Sequence, residues 1–187
     1  MITVKNLSKR VPVGDGELEI LKGINLEIKS GQSAAIVVAS GSGKSTLLGL
    51  LAGLDQATDG EVAIDGIALQ DLDEDGRAAL RGEKLGFIFQ SFQLVPALTA
   101  LENVMLPLEL KNAPQADSLA TDFLSRVGLA ERTRHYPRQL SGGEQQRVAI
   151  ARAFAGSPSI LFADEPSGNL DSRTGGKIAD LLFELNR

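Results

Sequence analysis

Three short runs in this sequence carry residue types that could do chemistry on phosphates. SGSGKST, Ser40 to Thr46, is rich in small residues. Glycines such as Gly41 and Gly43 let a backbone come close enough for successive N–H groups to wrap a polyphosphate, with Ser40, Ser42 and Thr46 completing the cradle. In such a loop Lys44 reaches the β- and γ-phosphates and Ser45 ligates Mg2+ through its hydroxyl. ILFADEP, residues 160–166, ends an apolar run in two carboxylates. Asp164 can hold Mg2+ through a water, and Glu165 can take the proton of an attacking water as general base. LSGGEQQR, residues 140–147, sets Ser141, Gly142 and Gly143 at what reads as a helix start. Exposed N–H groups there, with no side chains in the way, form an anion site. Gln90, after GFIF, is an amide that can ligate Mg2+ or orient water. Each run also has a plainer reading: a Gly/Ser turn with a solvated lysine, a strand ending in an acidic turn, an N-cap serine before flexible glycines. The order of the three runs, and the strand–loop–helix setting of the first, decide against those.

The elements that must position these groups can be read from apolar spacing. Ile2, Val4 and Leu7 open a short strand, and Gly14-Asp15-Gly16 turns it into LEILKGINLEI. SAAIVV, residues 33–38, reads as a buried parallel strand, and residues 44–54 follow it with helical spacing. Asp59-Gly60 and Asp65-Gly66 bracket a hairpin strand. Residues 85–89 form a strand that ends at Gln90. Thr99 and Glu102 make a capping-box pattern, residues 117–127 an amphipathic helix ended by Gly128, residues 160–163 a buried strand and residues 173–185 a last helix. Alternating strands and helices predict an α/β core, with a proline-punctuated helical insert between Gln90 and the LSGGEQQR run.

Composition narrows the function classes. The 187 residues suffice for one sizeable domain. A net charge of −5 disfavours non-specific nucleic-acid binding. With no cysteine, disulfides and thiolate metal sites are excluded. The most apolar run, residues 47–54, is far short of the ~20 residues of a spanning helix, and MITVKNL has no signal-peptide pattern. A membrane role therefore requires a partner.

The three runs, in this order, resemble the nucleotide-binding domain of ABC transporters, the ATP-binding-cassette family. The resemblance implies an α/β P-loop NTPase core with a mainly parallel sheet, an N-terminal antiparallel β-subdomain and an inserted α-helical subdomain. It implies one domain over residues 1–187, with residues 1–90 and 159–187 as the core and 91–158 as the helical subdomain bearing the signature. ATP and Mg2+ are the implied ligands and ATP hydrolysis the activity. Gln90 matches the residue that senses the γ-phosphate, and SGNLD, residues 167–171, resembles the loop that crosses the dimer interface. Ser141, Gly142 and Gly143 match signature residues that contact the γ-phosphate held by the opposite subunit, which makes a second copy the implied partner. FQSFQLVPALTALENVMLPLEL and RHYPRQLSGGEQQRVAIARAFAGSPSILFADEPSGNLD look like the lipoprotein-release and macrolide-export branch, with its YbbA-like members. There, paired ATPase subunits drive a transmembrane permease from the inner, cytoplasmic face of the plasma membrane. Ser91 to Leu110 is the candidate docking surface for that permease; ordinary packing within the subdomain claims about half of it.

Some positions depart from the family pattern. The signature is usually LSGGQ-like and here reads LSGGE. The usual first glycine of the phosphate loop is Val38, whose β-branch crowds the turn if φ must be positive and is comfortable if the backbone stays extended. Val11 stands where an aromatic residue would stack on adenine, and Arg187 precedes the family's switch histidine; His135 cannot take that role. These departures leave a second reading open: a truncated, catalytically impaired nucleotide-binding and docking fragment.

Overall fold

The computed structural model describes residues 1–14, 16–39, 41–168 and 170–185. Asp15, Ser40 and Asn169, each part of a motif above, lie outside the described residues, as does Arg187. The chain divides into two compact units, residues 1–81 and 82–187.

The first unit is built on a four-stranded antiparallel sheet, in the order β2-β1-β3-β4. The strands are β1 (Ile2–Val13), β2 (Gly16–Ile28), β3 (Asp59–Ile64) and β4 (Ile67–Ala68). Ile2, Val4 and Leu7 are buried, as their apolar types require, but their spacing slips by one residue. The slip is a β-bulge: Asn6 has φ 47°, and the pairing of β1 shifts register on both sides of it. Opposite the bulge, Gly60 has φ 89°, and a Cβ there would lie 2.4 Å from the Asn6 carbonyl oxygen. Only glycine meets both demands. β1 thus runs well beyond the short strand that its first residues suggest. Asp65 and Gly66, both at positive φ, close the β3–β4 hairpin in the manner of a type I′ turn. Helix α1 (Lys44–Leu51) buries Leu47, Leu50 and Leu51.

Residues 33–38 depart from expectation. They carry no strand geometry, and Val37 and Val38 are 88% and 49% exposed. A β-branched run becomes a buried strand only when a neighbour completes its ladder and a layer covers its faces. Within the first unit, β2-β1-β3-β4 pair with one another and leave this run outside the sheet.

The second unit contains a parallel strand pair, β5 (Leu85–Ile88) and β6 (Ile160–Ala163), in register Leu85↔Ile160 through Ile88↔Ala163. Helix α2 (Glu74–Lys84) leads into β5. Between the strands come α3 (Ala100–Leu110), α4 (Ala116–Arg126) and α5 (Gly142–Ala155), and α6 (Ser172–Leu185) follows β6. The Thr99–Glu102 capping box forms as the sequence predicts, and Gly128, at φ 72°, follows α4. One apolar cluster joins Ala100, Val104 and Leu108 of α3, Leu124 of α4 and Val148 and Ala151 of α5. A second joins Ile88, Ile150, Ala153 and Ile178.

Gly60→Ala is expected to lower stability by about 3 kcal/mol or more, because the new Cβ meets backbone that cannot move aside. Thermal or urea denaturation against the native chain measures it.

Candidate functional site

In the first unit Gly41, Ser42 and Gly43 form the turn into α1. Gly41 and Gly43 have φ 79° and 85°, the left-handed region that favours glycine. The Ser42 N–H donates to the Ala39 carbonyl at 3.3 Å, and the Lys44 ammonium reaches the Val38 carbonyl at 3.4 Å. Lys44 and Ser45 open α1, with Thr46 in its first turn. Gly43 is the N-cap residue: no side chain caps the helix and no acidic residue occupies its first turn. That end therefore presents backbone N–H groups and the positive end of the helix dipole with no competing carboxylate on the same turn. Val38 is absent from the residues at positive φ. Of the two readings of Val38, the relaxed one applies, since its β-branch is compatible with its backbone.

In the second unit, parallel pairing brings the C-terminal ends of β5 and β6 side by side. The Asp164 N–H donates to the Ile88 carbonyl at 2.9 Å, extending the ladder one step. Gln90 and Glu165 follow, and Gln90 Nε2 donates to Glu165 Oε2 at 3.2 Å. Glu165 has φ 45°, a conformation that a side chain of this size adopts only when its surroundings hold it. Its carbonyl accepts from the Gly168 N–H at 2.8 Å. The sequence-predicted amide and general base thus meet at the edge where open α/β sheets hold ligands.

The signature residues stand at the start of α5. Ser141 is the N-cap; its Oγ accepts from the Glu144 N–H at 3.3 Å and donates to Glu144 Oε2 at 2.8 Å. The Ser141 N–H also donates to Glu144 Oε2, at 2.8 Å. Arg132 Nε reaches Glu144 Oε1 at 3.1 Å. The Ser141 backbone and hydroxyl, with Arg132 beside them, hold the Glu144 carboxyl below its ordinary value. At Gly143 a Cβ would lie 3.0 Å from Thr174 Cγ2, whereas Gly142 has ordinary clearance.

Two buried polar side chains, Gln146 and Asn103, and the half-buried Arg152 escaped the sequence reading. Gln146 of α5 donates through Nε2 to the Pro166 carbonyl at 2.7 Å. Arg152, also of α5, donates to the carbonyls of Gln93 at 2.6 Å and Phe92 at 3.0 Å, and both of those residues have positive φ. Asn103 of α3 bonds the Val95 N–H and the carbonyls of Val95, Leu98 and Thr99. The available signal was a polar residue on an apolar stripe: Gln146 shares its helical face with Ala149, Ile150 and Ala153.

Glu144→Ala is expected to cost about 1 kcal/mol at neutral pH. Because the folded-state pKa is depressed, the contribution is present above the unfolded value of 4.5 and is lost as pH falls through the folded one. The stability gap between native and variant chains, followed by denaturation against pH, should therefore close under acid.

Comparison with known proteins agrees with this geometry. Residues 21–168 match the family model described as ABC transporter. The uncharacterized ABC transporter ATP-binding protein YbbA of Escherichia coli (strain K12) is 56% identical over 189 residues, covering all of this chain and 83% of that protein. The lipoprotein-releasing system ATP-binding protein LolD of Alcanivorax borkumensis is 48% identical, covering all of this chain and 82% of the relative. Among solved structures, the dimeric post-hydrolysis state of the ATP-binding cassette MJ0796, bound to ADP and Pi, superposes with a TM-score of 0.93 at 47% identity over the whole chain and 83% of that one. No feature of these relatives favours the impaired-fragment reading. With the phosphate-loop turn, the paired carboxylates after β6 and the capped signature helix in place, the chain belongs to the ABC transporter family as an ATP-binding cassette, an ATPase of the LolD and MJ0796 type.

Proposed function

We propose that this cassette hydrolyses ATP as a head-to-tail pair of identical copies, and that the pair drives a membrane permease in export or in lipoprotein or lipid extraction. The observation that carries the hydrolytic half is the Gln90–Glu165 contact at 3.2 Å, which sets a water-orienting amide against a proton-accepting carboxylate. Ser40, Gly41, Ser42, Gly43, Lys44, Ser45 and Thr46 cradle the phosphates of ATP. Ser141, Gly142 and Gly143 offer a helix N-terminus to the γ-phosphate held by the second copy. Ser45, Gln90 and Asp164 are the residues that would hold Mg2+; their oxygen donors, with one carboxylate, suit an ion that shares its shell with water and phosphates. The ion would supply positive charge to offset that of the phosphates. Glu165 accepts the proton of the water that attacks the γ-phosphorus in line, while the bond to the bridging oxygen breaks. In this reading residues 91–158 act as a helical subdomain set into a core of residues 1–90 and 159–187.

No helix among the described residues is long and apolar enough to cross a membrane. In the proposal, the cassette is held at the cytoplasmic face of the plasma membrane by the permease, seated on part of Ser91 to Leu110. Ala100, Val104 and Leu108 belong to the helical core, so the contact falls to exposed residues such as Ser91, Gln93, Val95, Pro96 and Ala97 before α3 and Leu110 at its end. The relative LolD, the ATP-binding protein of a lipoprotein-releasing system, supports this direction of transport.

Glu165→Gln is expected to abolish turnover and to trap an ATP-bound dimer on size exclusion with ATP and Mg2+; a monomer under those conditions counts against the pair. Val38→Gly is expected to leave ATP affinity unchanged by calorimetric titration, since Val38 sits in a backbone region that valine tolerates. Tighter binding by the glycine variant would show that the valine crowds the turn.

A further inference from the structure

We propose that Gln146 is a positioning residue for ATP hydrolysis, tying the Glu165–Pro166 main chain to the signature helix. The inference rests on the reading of Glu165 as general base. Gln146 is 0% exposed, on the α5 stripe that packs through Ile150 and Ala153. Its Nε2 donates to the Pro166 carbonyl at 2.7 Å, an acceptor that fixes which way the amide faces. Its Oε1 has no hydrogen-bond partner among the described residues. A half-satisfied buried amide is a costly way to fill a core, and an apolar side chain of similar shape would serve packing as well or better. Packing therefore leaves the glutamine unexplained; the Pro166 bond explains it.

That bond acts one residue from Glu165, which stands at φ 45°. The contacts on this loop among the described residues include Gly168 N–H to the Glu165 carbonyl, Gln90 Nε2 to the Glu165 carboxylate and, third, Gln146 to Pro166. The third comes from the helix whose N-terminus carries Ser141, Gly142 and Gly143. Pro166, and with it the main chain that aims Glu165, thus takes its place from α5. Loss of the tether frees Pro166 and misplaces the carboxylate, without touching the residues that cradle ATP.

The test is steady-state ATPase and thermal denaturation of the whole chain carrying Gln146→Met, with Gln146→Asn as the second variant. Met matches the shape and removes both polar atoms; Asn keeps an amide that falls a methylene short of Pro166. We expect kcat to fall about 10- to 100-fold with KM for ATP held within about twofold. The Tm of Gln146→Met should be unchanged or raised. Native kcat in either folded variant overturns the proposal. So does a parallel loss of kcat, KM and Tm, or loss of the fold in both variants, since each assigns Gln146 to the core alone. Glu165→Gln, run beside them, separates the two readings. Turnover surviving in Glu165→Gln overturns the general-base reading and the tether with it. Turnover lost there but retained in the Gln146 variants overturns the tether alone.

Discussion

Burial of α5 on two sides is the constraint from which the second unit takes its arrangement. Val148, Ala151 and Ala155 enter the cluster with α3 and α4, while Ile150 and Ala153 enter the cluster with Ile88 and Ile178. Neither face can turn outward without exposing apolar side chains, each worth about 1.5–3 kcal/mol when fully buried for residues of the Val and Ile class. The four alanines keep the helix narrow enough for neighbours to approach closely. β5 answers with Gly86, where a Cβ would lie 2.6 Å from the Ala153 carbonyl oxygen. A helix fixed in this way has one permitted azimuth. The directions of Ser141 at its start, and of Gln146 and Arg152 along its length, follow from that azimuth.

The irregular segments of the unit depend on such side chains because they have no ladder of their own. Phe92 and Gln93 stand at positive φ after β5, and the Arg152 guanidinium bonds both carbonyls. Asn103 replaces the missing ladder between Val95 and Thr99 with four hydrogen bonds from one buried amide. Without these donors and acceptors, each turn would leave main-chain polar groups unpaired against an apolar core. The exposed residues proposed for permease contact are therefore carried on turns whose inner sides are pinned, as suits binding loops on a rigid scaffold.

What could be read from the sequence was set by how local each signal is. The Thr99–Glu102 capping box, the Asp65-Gly66 turn and the bounds of α4 and α6, to within a residue, depend on residues a few positions apart, and they formed where the types predicted. The phosphate loop, the carboxylates after β6 and the signature helix were legible for the same reason. The buried tethers were not: Gln146 and Pro166 lie 20 positions apart, and Arg152 and Gln93 lie 59 apart. Nothing in a linear pattern says which carbonyl a buried amide will meet. The Asn6 bulge depends likewise on Gly60 across the sheet. The run at residues 33–38 failed in the opposite sense: its composition suits a buried strand, yet composition supplies neither a partner nor a cover.

The two anion-ready helix starts differ in a way that bears on how they work. At α1 no side chain caps the first turn and no acidic residue lies in it, so a polyphosphate meets dipole, N–H groups and the Lys44 ammonium with no carboxylate of that turn against it. At α5 the Glu144 carboxylate already receives the Ser141 N–H and hydroxyl and is paired with Arg132. A phosphate arriving there must take the serine hydroxyl from a carboxylate and approach a negative charge while doing so. The LSGGQ-like form of the family would offer a neutral amide at that position. With glutamate the signature start is the weaker anion site, and Arg132 offsets part of the repulsion by neutralising Glu144. Under the proposed pairing, α1 then holds nucleotide on its own account. The α5 start engages only a γ-phosphate already fixed by a second copy, which ties closure of the pair to an intact triphosphate.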